Sequence, residues 1–320
     1  MTPQGLADAL PILLLIAVGV LVRQSGLVDR KGGLVLTRVV YYVTIPAAIV
    51  VSIARAELTL TKIWLPVIGL AVPCLLAGIM YLTTRRLADR PELRGVLLAG
   101  MVVLGVFAYP FFDLFYGPEG LANIALYDVG NAIYAAPIAL SLAQYFGRQA
   151  RNRGQGAAVA MASEPAVKNG RVWRRLVTSP LLWAAVVGIV SSLRHAEMAG
   201  VIGGTLQRLA DANTPMAMVS VGIFLRPRAS HMGLVVQFVG LRMLAGGVLG
   251  WVIGTLVGLS GLDMITTIVG SSLPAGTTAL IYAGNEGLDT EFAASMISFT
   301  ILVGVVVINV LPHLLGAVYL

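Results

Sequence analysis

Charge is what this sequence has least of. Aspartate, glutamate, lysine and arginine make up 12% of its 320 residues, whereas 58% are hydrophobic. Soluble domains carry about 25% charged residues. Half that share leaves too little polar surface to cover a globule of this length, which excludes an ordinary water-soluble enzyme. The hydrophobic content excludes a disordered chain. A single cysteine, Cys74, lies in an apolar run, which excludes a disulfide scaffold and a cysteine-built zinc site. Three histidines, His195, His231 and His313, are too few and too scattered for a histidine metal cluster. No metal and no cofactor is expected.

Long apolar runs take the place of charge. A transmembrane helix needs about 20 apolar residues. Reading between charged and Gly/Pro breaks gives ten spans: 6–22, 34–54, 63–83, 95–116, 121–146, 175–193, 201–225, 232–258, 262–284 and 289–312. The start, MTPQGLADALP, lacks a basic segment, and the first run has no small-residue cleavage site, so it reads as a span and not a signal peptide. The longest polar stretch, 147–174, is rich in Gly, Ala and Arg and reads as a flexible linker. It divides the chain into a first five-helix half, 1–146, and a second, 175–320.

The basic residues orient these spans. Odd-numbered connections, counted with Arg38 and Arg175 just inside the adjoining spans, hold seventeen Lys and Arg, and even-numbered ones three. The positive-inside rule then places the linker in the cytoplasm and both termini outside, in a multi-pass protein of the cell membrane. The acidic ninth connection, GNEGLDTE (284–291), runs against this pattern, but acidic residues weigh little in it. The net charge of +7 therefore needs no nucleic-acid partner.

An odd number of spans per half forces two copies into opposite orientations. Gly117-Pro-Glu-Gly-Leu121 matches Gly284-Asn-Glu-Gly-Leu288 at four of five positions, 167 residues on. Thr37-Arg38 followed by Pro46 answers Gln207-Arg208 followed by Pro215, and Pro110 answers Pro274. The spacing predicts an inverted repeat.

Proline inside a helix removes a backbone donor and clashes with the preceding turn. Spans 4 and 9 both place glycine and proline mid-span, around Pro110 and Pro274. Paired breaks of this kind point to a transporter site at the membrane midplane. Half-helix N-termini bring positive dipole ends and free N–H groups there, which favours an anion such as a carboxylate. The candidate substrate-binding residues are Phe107, Tyr109, Pro110, Ser271, Ser272, Pro274, Thr277 and Thr278 at the breaks, with Asp128 and Asn131 at i, i+3 on span 5. The hydroxyls have a competing use, bonding back to their own helix. Asp113, Asp211 and Arg242 are intramembrane charges and hence coupling candidates; Arg242 has an alternative as a snorkelling or rigid strut. Gly246, Gly250, Gly254 and Gly258 form a small-residue stripe suited to close packing inside the protein rather than a dimer seam. An enzyme is not expected: no HExxH occurs, Gly270-Ser-Ser-Leu-Pro274 lacks the second glycine of a nucleophile elbow, and no histidine lies mid-span.

Two segments carry a family resemblance. PILLLIAVGVLVRQSGLVDRKGGLVLTRVVYYVTIPAAIVVSIARAEL (11–58) resembles the first two helices of the auxin efflux carrier family, and YAGNEGLDTEFAASMISFTILVGVVVINVLP (282–312) its last helix and the loop before it. The family includes bacterial malonate- and malate-type carriers and the plant PIN auxin carriers. The resemblance implies an all-α membrane protein of ten helices, a 5+5 inverted repeat with two crossed broken helices, like the bile acid–sodium symporters and NhaA. It implies crossing at Pro110 and Pro274, an elevator movement of helices 3–5 and 8–10 against 1, 2, 6 and 7, a homodimer, and proton or sodium coupling in bacterial members. One position departs from the family: Val103 stands where members commonly carry Asn, seven residues before the span 4 proline. This argues for a less polar substrate or an anion held from the span 9 side. The expected function is a secondary transporter exporting small organic anions, surrounded by lipid. The alternative is a sodium-coupled symporter of the bile acid class, using Asp128, Asn131 and Ser295.

Overall fold

The computed structural model describes residues 3–56, 59–155, 179–194, 200–225 and 231–319. Among them the chain is helical with no strand, and carries one isolated antiparallel bridge, Val103 to Ala275. Helix α1 is Pro3–Gln24. A long rod follows as α2 (Arg30–Val39), a π-helical turn (Val40–Thr44) and α3 (Ile45–Arg55). Next come α4 (Trp64–Thr83), a short α5 (Pro91–Ala99), α6 (Gly105–Ile133), a π-helical turn (Tyr134–Ala139) and α7 (Leu140–Gln155). The second half holds α8 (Pro180–Leu193), α9 (Gly200–Asp211) and α10 (Asn213–Phe224). It continues with α11 (Met232–Val239), a π-helical turn (Gly240–Ala245), α12 (Gly246–Leu256), α13 (Gly261–Ser271), α14 (Thr278–Glu286) and α15 (Thr290–Tyr319).

Five runs are long and apolar enough to cross a membrane: Gly32–Arg55, Leu60–Thr83, Gly105–Arg153, Met232–Leu256 and Thr290–Tyr319. The protein is an all-α membrane protein. Inside the third run Gly117 adopts φ 60° and ψ −154°, so α6 is two helices meeting at a break, and Pro118 starts the second. In the matching motif of the second half the left-handed residue is Gly287 (φ 71°), not Gly284. The two five-residue motifs share a sequence but turn at different glycines.

The helices pack as two groups. In one, α1 lies on α10, α3 on α8 and α9, and α2 on α10. In the other, α4 lies on α6, α5 on α7, α12 on α13, and α14 on α5, α7 and α15, while α13 also meets α4, α6 and α15. Helix α6 is the main bridge, touching α3, α10, α1 and α8 of the first group. The glycine stripe is used within the second group. A Cβ on Gly246 would stand 2.3 Å from the Ser271 carbonyl oxygen, so only a glycine lets α12 approach α13 this closely. Gly258 falls outside that contact and turns the chain instead, at φ 74°.

The expected linker needs correction at its start. Residues 147–155 continue α7 as helix. Arg151 donates to the Glu286 carbonyl at 2.8 Å, and Arg153 lies 3.5 Å from Asp89, so polar contacts hold this end of the helix. The rest of 147–174, the start of span 6 at 175–178, and Arg226 and Arg228 lie outside the described residues.

Candidate substrate-binding site

Two helices stop short in the middle of the protein. Residues 100–104 separate α5 from α6, and 272–277 separate α13 from α14. The two unwound segments run antiparallel: the Leu104 amide donates to the Pro274 carbonyl at 2.9 Å, and the Gly276 amide to the Val102 carbonyl at 2.7 Å. Each break leaves two helix ends with free backbone groups, and in lipid these need partners inside the protein.

Two of the four ends are bonded by side chains, and a carboxyl group stands beside a third. At the C-terminal end of α5, the Tyr134 hydroxyl donates to the Leu98 carbonyl at 2.9 Å. At the C-terminal end of α13, the fully buried Arg242 donates from Nη1 to the Ser271 carbonyl at 3.0 Å, placing a cation at the negative pole of that helix. The Tyr127 hydroxyl meets Ser271 Oγ at 3.0 Å beside it. At the N-terminal end of α6 stands the carboxylate of Asp128. A Cβ on Gly105 would lie 2.4 Å from Asp128 Oδ2, so glycine there is what admits the carboxylate to the helix end. Asp128 Oδ2 accepts from the Tyr109 hydroxyl at 2.8 Å, and Oδ1 from Asn131 Nδ2 at 2.7 Å. Asn131 also clamps the unwound strand: its Oδ1 accepts from the Val103 amide at 2.8 Å and its Nδ2 donates to the Val103 carbonyl at 3.2 Å.

The fourth end differs. At the start of α14, the amides and hydroxyls of Thr277 and Thr278 donate to no group among the described residues. They border a cavity of about 740 Å³ between the two helix groups. One wall is the crossing itself, Val102–Val106 with Asp128, Asn131 and Gly276–Thr278. The opposite wall is the α2–α3 rod, through Thr37, Arg38, Tyr41, Tyr42 and Ile45, with Pro180 and Phe224 beside it.

Of the residues expected at the site, Asp128, Asn131, Thr277 and Thr278 line this cavity. Phe107, Tyr109 and Pro110 do not; they are buried behind the crossing, Phe107 against Phe111 with ring centroids 5.4 Å apart. The expected crossing at Pro110 is corrected to 102–104, because Pro110 sits within α6 and the break is made upstream, where Asp128 claims the helix end beside Gly105. Pro274 does lie in the second break, its ring against Gly304. Ser272 bonds back to the Ile268 carbonyl at 2.9 Å, and Ser271 faces Tyr127, so neither reaches the cavity. Asp211 accepts from Gln207 at 2.8 Å, and neither it nor Asp113 belongs to the cavity lining. Arg242 lies behind the crossing. Arg38, in the sequence an orienting charge and a marker of the repeat, and the two tyrosines, there part of an apolar span, also line the cavity. Their signal is the spacing 37, 38, 41, 42, 45, which puts all five on one helix stripe.

Residues 5–312 match the model of the membrane transport protein family. The chain belongs to this family, the auxin efflux carriers. The transporter is 28% identical over 306 residues to an uncharacterized transporter of Methanothermobacter thermautotrophicus, covering 93% of this chain and 94% of that one. A second uncharacterized transporter, from Methanocaldococcus jannaschii, is 26% identical over 90% of this chain and 92% of its own. A probable auxin efflux carrier component of rice, 1b, is 29% identical over 181 residues, 52% of this chain and 33% of the rice protein. The protein is thus a multi-pass membrane transporter and not a member of an enzyme family.

Proposed function

We propose that this transporter exports small organic anions, carboxylates among them, and that the substrate's negative group is held at the N-terminal end of α14. The observation that carries this reading is the inventory of helix ends at the crossing. Tyr134 and Arg242 bond to two, the Asp128 carboxyl stands beside a third at Gly105, and the fourth, with unpartnered donors at Thr277 and Thr278, borders the cavity. A helix N-terminus with free N–H groups attracts an anion. The equivalent end of α6 already holds the protein's own anion, Asp128, which supports an asymmetric site with the substrate on the α14 side.

Movement belongs to the same proposal. The cavity lies between the two helix groups, which fits an elevator in which the group carrying the crossing slides against α1–α3 and α8–α10. The paired breaks at 100–104 and 272–277 fit a 5+5 inverted repeat. The cavity lining runs outward to Leu34 and Ser179, beside connections rich in basic residues, which fits a site open to the cytoplasm and ready to load for export. The acidic ninth connection fits this side too, since Glu286 meets Gln144 and Arg151 of the basic α7. Asp128 and Asn131, on which a sodium-coupled alternative would rest, are engaged with each other, Tyr109 and Val103.

The test is Thr277→Asp, at the N-cap of α14. It supplies the missing anion in cis, as Asp128 does for α6. Uptake into proteoliposomes should be lost while the folded protein is unchanged or more stable by about 0.3–1 kcal/mol. Full transport in that variant would overturn the reading.

A further inference from the structure

We infer that Arg38 is a substrate anchor that reaches the transported anion from the opposite helix group; the inference rests on the α14 reading above and adds a second, cationic contact to it. Arg38 lines the cavity from α2, and its guanidinium forms no hydrogen bond or ion pair among the described residues. The other formal charge among the described lining residues is Asp128, and both of its oxygens already accept hydrogen bonds, from Tyr109 and Asn131. Among the described residues Arg38 is therefore the one uncommitted charge facing the cavity, and its sign is that of an anion receptor. A guanidinium offers a planar fork that matches a carboxylate in two parallel hydrogen bonds. Tyr41 and Tyr42 follow at i+3 and i+4 on the same stripe, with ring centroids 5.2 Å apart, and give the substrate's body an apolar surface beside its charge.

The placement has a mechanical consequence. Arg38 belongs to the group with α1 and α10, whereas Thr277 and Thr278 belong to the group that carries the crossing. A carboxylate held by both ties the two groups together, so it must leave Arg38 when the crossing moves. Arg38 then sets capture of substrate more than the rate of movement.

The experiment is uptake of radiolabelled malonate, malate and indole-3-acetate into proteoliposomes, at equal amounts of monodisperse protein. For an acid that the unaltered protein carries, Arg38→Gln should raise KM about tenfold or more with a smaller change in kcat, and Arg38→Lys should fall between. A second arm uses Arg38→Cys in a Cys74→Ser background. Aminoethyl methanethiosulfonate restores a positive charge there and should restore uptake, whereas methyl methanethiosulfonate should not. Equal rescue by both reagents, or an unchanged KM in Arg38→Gln, would overturn the anchor and leave the α14 site standing. Failure of the unaltered protein to carry any of the three acids would overturn both.

Discussion

Thr44 donates a hydrogen bond to Asn213 at 3.0 Å, and each residue stands two positions before a proline, Pro46 and Pro215. The partners are 169 residues apart, the same offset as the prolines. Two residues related by a twofold axis can touch only near that axis. The contact is what an inverted repeat would produce where its two halves meet, and it ties α9 and α10 to the α2–α3 rod. Both residues belong to one helix group, so joining them should not hinder transport. Thr44→Cys with Asn213→Cys, in a Cys74→Ser background, is expected to crosslink and to retain uptake. A crosslinked protein that no longer transports would show that these helices move past each other.

Asn131 is expected to be the least replaceable residue of the crossing. Its side chain answers both backbone groups of Val103 and one oxygen of Asp128. Asn131→Leu leaves a buried amide and carbonyl unpaired, at about 1–3 kcal/mol for each unsatisfied group. Tyr109→Phe removes one hydrogen bond and should cost about 1 kcal/mol, in line with hydrogen bonds between membrane helices. Thermal unfolding in detergent should rank the two in that order; the reverse ranking would contradict the clamp.

Arg242 separates stability from function. Its Nη1 serves the Ser271 carbonyl, while Nε and Nη2 have no partner among the described residues. A buried cation this poorly paired is costly, and an apolar replacement of similar size is often neutral or stabilising. Arg242→Met is therefore expected to unfold at an equal or higher temperature and yet to lose most transport. Normal transport with a large loss of stability would make Arg242 a packing strut only.

Val103 lines the cavity at the crossing. Val103→Asn introduces a polar side chain there without touching the backbone bonds to Asn131. The ratio of malate to indole-3-acetate uptake should rise. An unchanged ratio would remove Val103 from substrate selection.

Helical content and membrane residence were legible because apolar runs of span length have few other uses. The second break was legible because Pro274 makes it locally. The first was misplaced onto Pro110 because its cause is not local: Gly105 yields the helix end to Asp128, 23 residues on, and only packing brings them together. The end of α7 was hidden for a similar reason, since basic residues that resemble a linker are held by Glu286 and Asp89 from distant connections. Among the hydroxyls, Thr277 and Thr278 reach the cavity whereas Ser272 turns back to its own helix, a division set by where the helix stops rather than by residue type. Arg38 was counted as an orienting charge; its place in the cavity depends on the second wall, which no local pattern supplies.

The most direct measurement compares each acid with its uncharged amide of the same shape, malonate with malonamide and indole-3-acetate with indole-3-acetamide. Uptake would be followed in proteoliposomes with proton, sodium and potential gradients imposed one at a time. Saturable uptake of an acid is expected, with competition by other acids and neither uptake nor competition by the amides. The gradient that drives uptake would name the coupling. Amides carried as well as the acids, or no acid carried by folded protein, would contradict a site built around an open helix N-terminus.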